Sequence, residues 1–268
     1  MKRKACVAGT FYPGRADELR AMIQALVDPQ APRTKAVAVV SPHAGYIYSG
    51  PVAGAVFSSV EVPEVAVLLG PAHRNIRPVV AIDREGTWQT PLGEAAIATE
   101  LADLILERSS LVENDPDAHR LEHSLEVQVP FLQYLRPTVS LVPLCVSYDA
   151  AYADLDEVGR AVAGAVRAFG RDVLLVASTD MSHYVKQATA EKLDHLAIDR
   201  ILKLDPQGLF ETVTAQNISM CGVRPTAAAL VAARALGATR VELVRYATSG
   251  ERTGDYAEVV GYAGLRIV

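Results

Sequence analysis

Near-continuous apolar runs rich in β-branched residues recur along this chain and alternate with stretches whose apolar residues return every three or four positions. Val37 to Ser41, Val65 to Leu69, Val139 to Val146, Val173 to Ala177 and Val241 to Tyr246 read as strands buried on both faces. Between them, Ile97, Leu101, Leu104 and Ile105 form one helical stripe, and Leu155, Val158, Val162, Val166 and Phe169 a longer one. Leu193, Leu196, Ala197, Ile201 and Leu204 make a third. A helix is predicted from about Pro225 to Leu236, with proline near its start and Gly237 just beyond its end. His123 to Leu135 is predicted helical, although Pro130 would kink it and Leu125, Val127 and Val129 also alternate as a strand would. Tyr256 to Val268 supplies a further strand.

Strands alternating with helices imply right-handed crossovers. The predicted fold is therefore an α/β, three-layer α/β/α sandwich with a mainly parallel central sheet. There is no internal repeat, low-complexity segment or Gly/Pro/Ser-rich linker, so residues 1–268 read as one α/β domain. The 268 residues are 50% apolar, enough for a sizeable core. A net charge of -5 without a basic stripe argues against nucleic acid or an anionic membrane as partner. No apolar run reaches the roughly 18 residues needed to cross a bilayer. The basic start MKRKACVAGTFYPG meets Pro13 and Gly14 before any signal-peptide core develops. Three cysteines, Cys6, Cys145 and Cys221, show no paired spacing and fit a reducing compartment. The expected location is cytoplasmic.

The candidate chemistry lies at the strand ends. Val37 to Val40 lead through Ser41 and Pro42 to His43, and Val65 to Leu69 lead through Gly70, Pro71 and Ala72 to His73. Residues just beyond the carboxyl ends of parallel strands converge on one crevice, so these two imidazoles are candidate metal ligands. Cys221, in SMCGVRP, precedes the Pro225 helix, whose dipole favours a thiolate, and Gly222 permits close backbone approach. STDMSHY places Asp180 three residues before His183, a pairing in which the carboxylate can orient an acid-base imidazole; helix capping by Ser178, Thr179 or Asp180 is the plainer alternative. His123 is a further candidate, flanked by Glu122 and Glu126, which read as solvated helix-surface carboxylates. His119 and His195 read as structural or exposed.

Taken in order, SPHAGYIYSG, LGPAHR, EHSLEVQVPFLQ, STDMSHY and MCGVRP resemble the Memo family (mediator of cell motility), from about Gly9 to the carboxyl terminus. That family is similar in fold to the class III extradiol dioxygenases, whose iron is held by two histidines and a glutamate. The resemblance implies a ligand set of His43, His73 and Cys221. It places His123 and His183 in the pocket, His183 at the position of the dioxygenases' acid-base histidine with Asp180 nearby. A thiolate in place of the carboxylate softens the site, moving its preference from iron alone towards copper, zinc or thiolate-bound iron. Bacterial and archaeal relatives are grouped with a radical-SAM protein and an AMMECR-type protein, which implies those partners.

Two classes of function follow. One is an iron- or copper-dependent, dioxygenase-like oxidoreductase in which His183, oriented by Asp180, moves protons and His123 stabilises developing negative charge. The other is a non-catalytic protein that uses the same pocket to bind a peptide, phosphopeptide or partner, with Tyr12, Tyr46, Tyr48 and Arg74 lining it. A thiolate beside two histidines favours the first. A zinc hydrolase with these ligands would lack an obvious general-base glutamate.

Overall fold

The computed structural model describes residues 2–268. Among them, nine strands form one mixed sheet. At its centre, Ala38–Ser41, Val173–Ser178, Val65–Pro71 and Ser140–Val146 lie side by side and parallel. Their alternate residues feed two separate apolar cores: Val67, Leu69 and Leu175 point to one face, Ala66, Leu68 and Leu174 to the other. Burial on both faces is what makes these runs read as unbroken apolar stretches. Helices Tyr152–Phe169 and Val223–Ala235 cover the first face, while Ala16–Leu26, Tyr46–Ser58 and Val129–Leu135 cover the second. The helices on the first face approach closely, since a Cβ on Gly159 would stand 2.6 Å from the Ala228 carbonyl oxygen.

The flanks add antiparallel pairs to the parallel centre. Val259–Ile267 runs antiparallel to Ala38–Ser41 and pairs on its other side with Val241–Thr248, also antiparallel. Val80–Ile82 is antiparallel to Ser140–Val146. Parallel order holds at the centre and again between Val80–Ile82 and Val112–Asn114, where the crossovers are long enough to return the chain in the same direction. Val241–Thr248 is not buried on both faces: its middle residues alternate with solvent, because it sits at the margin and, among the described residues, pairs only with Val259–Ile267.

Local rules account for the rest. The Val223–Ala235 helix carries Pro225 in its first turn, where the missing N–H costs nothing, and the chain turns at Gly237 with φ +98°. Predicted helix 123–135 resolves into a 3₁₀ turn, Glu126–Gln128, followed by a helix Val129–Leu135. Pro130 lies in the first turn of that helix and starts it instead of breaking it. No helix among the described residues is long and apolar enough to cross a membrane.

Candidate functional site

His43 and His73 follow the carboxyl ends of two central strands, Ala38–Ser41 and Val65–Pro71. The Ser178 end of a third strand lies between them in the sheet. His43 is 2% exposed, and its Nδ1 lies 3.0 Å from Ser178 Oγ. That hydroxyl already donates to the Ser124 carbonyl at 2.6 Å and accepts from Gln128 Nε2 at 2.8 Å. It must therefore accept from His43, which puts the proton on Nδ1 and leaves the Nε2 lone pair free. Burial, and after it the neighbouring His123 and His73, holds the His43 pKa well below its usual value, so the ring is neutral.

His73 is set by Glu122. The carboxylate accepts from His73 Nδ1 at 2.9 Å, from the His73 backbone N–H at 2.7 Å and from the Ser124 N–H at 2.8 Å. A carboxylate only accepts, so His73 also carries its proton on Nδ1 and presents Nε2. Burial pushes the Glu122 pKa up, but these hydrogen bonds outweigh it and the group stays ionised. Glu122 was expected in solvent; it is 3% exposed and anchors the site, because its segment folds against the end of the Val65–Pro71 strand.

His123 stacks on His73 with ring centroids 4.4 Å apart and meets His43 edge-on at 5.6 Å. One ring nitrogen from each of His43, His73 and His123 lies within 4.8 Å of the others. Cys221 Sγ is 3.2 Å from His43 Nε2. Gly222 makes this approach possible, since a Cβ there would stand 2.4 Å from Thr179 Cβ. Two donors each about 2.0 to 2.3 Å from a shared ion stand about 3 to 3.6 Å apart, between a right angle and the tetrahedral angle. The Cys221–His43 pair meets that spacing, whereas the nitrogens of the three imidazoles lie within 4.8 Å of one another. The donor set, neutral imidazole with sulfur, suits iron, copper or zinc.

The helix dipole does not set the state of Cys221 as expected from the sequence. Burial, followed by the charge of Asp180, pushes its thiol pKa up. A cation reverses this, because a coordinated thiol loses its proton outright.

Asp180 also differs from its expected role. Its Oδ1 accepts from the His43 backbone N–H at 2.7 Å, and it makes no hydrogen bond to His183. Burial raises its pKa against the pull of that bond. His183 is instead oriented by Ser219, whose Oγ accepts from the His183 N–H at 2.7 Å and whose carbonyl accepts from Nδ1 at 2.8 Å. That bond places a proton on Nδ1. Tyr184 beside it has φ +56°, a left-handed conformation that a non-glycine residue rarely holds.

Two cavities meet at this cluster. One of about 460 Å³ is lined by His43, His123, Asp180 and Tyr48; the other, of about 580 Å³, by Cys221, Tyr148 and Arg224. His73 and His183 line both. Of the tyrosines and arginine expected around the pocket, only Tyr48 is there. Tyr12 is buried against Glu126 and Tyr46 donates to the Val127 carbonyl, both beneath the site, and Arg74 lines neither cavity. His119 is fully buried and His195 bonds its own helix, in keeping with structural roles. Glu122, Ser178, Ser219 and Arg224 were not legible as site residues, since each acts through contacts with distant segments.

Comparison with known proteins decides the family. A profile described as "Memo-like protein" matches residues 3–266. The chain belongs to the Memo-like family. It is 42% identical to a MEMO1 family protein of Methanopyrus kandleri, over 99% of this chain and 98% of that one. It is 40% identical to one of Methanothermobacter thermautotrophicus, over 99% and 100%. An uncharacterized protein of Escherichia coli K12 shares the fold of this Memo-like chain at 16% identity, with TM-score 0.56 over 86% of this chain and 99% of that one.

Proposed function

We propose that the chain is a metal-binding, redox-active oxidoreductase whose ion, iron foremost with copper or zinc as alternatives, is held by His43, His73 and Cys221. The observation that carries this reading is the meeting of two imidazoles whose Nδ1 atoms are both engaged by supporting groups, and a sulfur 3.2 Å from one of them, at the junction of two cavities. Such an ion supplies a Lewis acid and, for iron or copper, a one-electron couple. Around it, Glu122 and Ser178 fix the ring orientations, as partners of ligating histidines do. His183 Nε2 takes or returns a proton of the substrate, and His123 donates to developing negative charge. The three free cysteines fit a reducing, cytoplasmic setting, and the radical-SAM and AMMECR-type partners belong to the same proposal.

A second reading keeps the metal and changes its ligands. Because His123 completes a set of three imidazoles within 4.8 Å, it can replace Cys221 as the third donor. Oxygen-free reconstitution with Fe(II), followed by metal analysis, separates the readings. Cys221→Ser and His43→Ala are expected to bind little metal, whereas His183→Ala binds it fully and loses oxygen-dependent turnover by about 10² to 10⁴-fold. Full metal in Cys221→Ser with none in His123→Ala establishes the three-histidine set. A wild-type chain that takes up no metal sinks both, and leaves the pocket as a recognition site with Tyr48 and Tyr184 at its walls.

A further inference from the structure

The two cavities that meet at His73 and His183 differ in the charged residues that line them. The smaller has the carboxyl groups of Asp180 and Glu258 in its wall. The larger has no Asp or Glu among its lining residues, and holds the Arg224 guanidinium instead. Arg224 sits in the first turn of the Val223–Ala235 helix, three residues after Cys221. Its Nε donates to the Ala150 carbonyl at 2.9 Å, and its Cζ stands 5.5 Å from the centre of the Phe210 ring, so the fork is held in place. Its two terminal nitrogens have no hydrogen-bond or ion-pair partner among the described residues, and Asp149, whose charge acts on it, forms no ion pair with it. A half-buried, pre-oriented guanidinium without an ion-pair partner is the geometry that takes a planar or tetrahedral oxyanion through two parallel N–H bonds. Tyr148 and Asn217 add polar groups to the same wall.

We infer that the larger cavity is an acid-binding subsite, in which Arg224 takes the carboxylate or phosphate of a small organic substrate whose other end reaches His73, His183 and Cys221. This deepens the oxidoreductase reading by naming the substrate class: an organic acid enters from the Arg224 side, and the acidic wall of the smaller cavity turns such a group away. Arg224 is a specificity-determining residue and holds no metal.

Binding of benzoate, phenyl phosphate and the neutral benzamide to the metal-free chain tests the inference by calorimetry, with the histidine ring signals followed by NMR. At least one of the two anions is expected to bind and to shift the His183 and His73 signals while leaving His195 unmoved, and benzamide to bind at least 10-fold more weakly. Arg224→Gln is expected to lose that anion's binding at least 10-fold, and Arg224→Lys to lose less. Benzoate without phenyl phosphate assigns the subsite to carboxylates; the reverse assigns it to phosphate esters. Equal binding of benzamide and the anions, equal binding by Arg224→Gln and wild type, or no binding of either anion overturns the inference. Metal content after reconstitution is read separately, with Arg224→Gln expected to match wild type. A chain that binds the anion and no metal therefore fails the oxidoreductase reading alone.

Discussion

Glu122 and Glu126 lie four residues apart in one segment, both are almost fully buried, and they serve opposite ends. Glu126 closes a clasp: its carboxylate accepts from Arg3 at 2.6 Å, from the Cys6 and Val7 N–H groups at 2.8 and 3.0 Å, and from Tyr12 at 2.6 Å. Arg3 in turn donates to the carbonyls of His119 and Glu122 and lies over the Trp88 ring. Every strong donor and acceptor in that group is engaged, and it ties the start of the chain to the 119–126 segment. Glu122 engages one side of His73 and thereby leaves the other side free, facing a cavity. Buried charge alone therefore does not mark a site. What marks it is a lone pair left over after the supporting bonds are made, with room in front of it.

The contrast can be broken most forcefully at the clasp. Glu126→Ala leaves the Arg3 cation buried without its partner and is expected to cost about 3 to 5 kcal/mol in urea denaturation, with metal bound per folded chain unchanged. A loss under about 1 kcal/mol, or an emptied metal site, would erase the distinction between the two carboxylates. Glu122→Gln is the converse change. It keeps the shape but removes the charge behind His73 Nδ1, and a 10 to 100-fold fall in metal affinity is expected, read by competition with a chelator. Unchanged affinity would make Glu122 a structural group like Glu126.

The last effect, read per pH unit, is a slope. Burial, then the charge of Arg3, holds His119 down at about 3, against about 6.5 for an exposed histidine. Between those values the unfolded chain binds a proton that the folded chain refuses. Stability accordingly falls as pH drops from about 6.5 to 3, at up to about 1.4 kcal/mol per pH unit, and is flat above that window for this group. Asp180, whose pKa is raised, contributes the opposite sign over part of the same range, so the slope is read as a difference between wild type and His119→Gln. The variant is expected to flatten it; an unaltered slope would place the acid sensitivity elsewhere.

Much of this protein is written locally. Unbroken apolar runs located the four central strands, the spacing of Val158, Val162 and Val166 located a helix, and the matched positions of His43 and His73 past two strand ends placed both at the site. These features depend on residues within a few positions of one another, and periodicity records them. The antiparallel flanks, the burial of both glutamates, the hydrogen bond of Asp180 to His43 instead of His183, and the cavity in front of Arg224 depend on segments far apart in the chain. Arg3 meets Glu126 across 123 positions, and Cys221 meets His43 across 178. No local pattern carries such a pairing, because whether a carboxylate is solvated or anchored is decided by which distant backbone groups packing brings within hydrogen-bond reach.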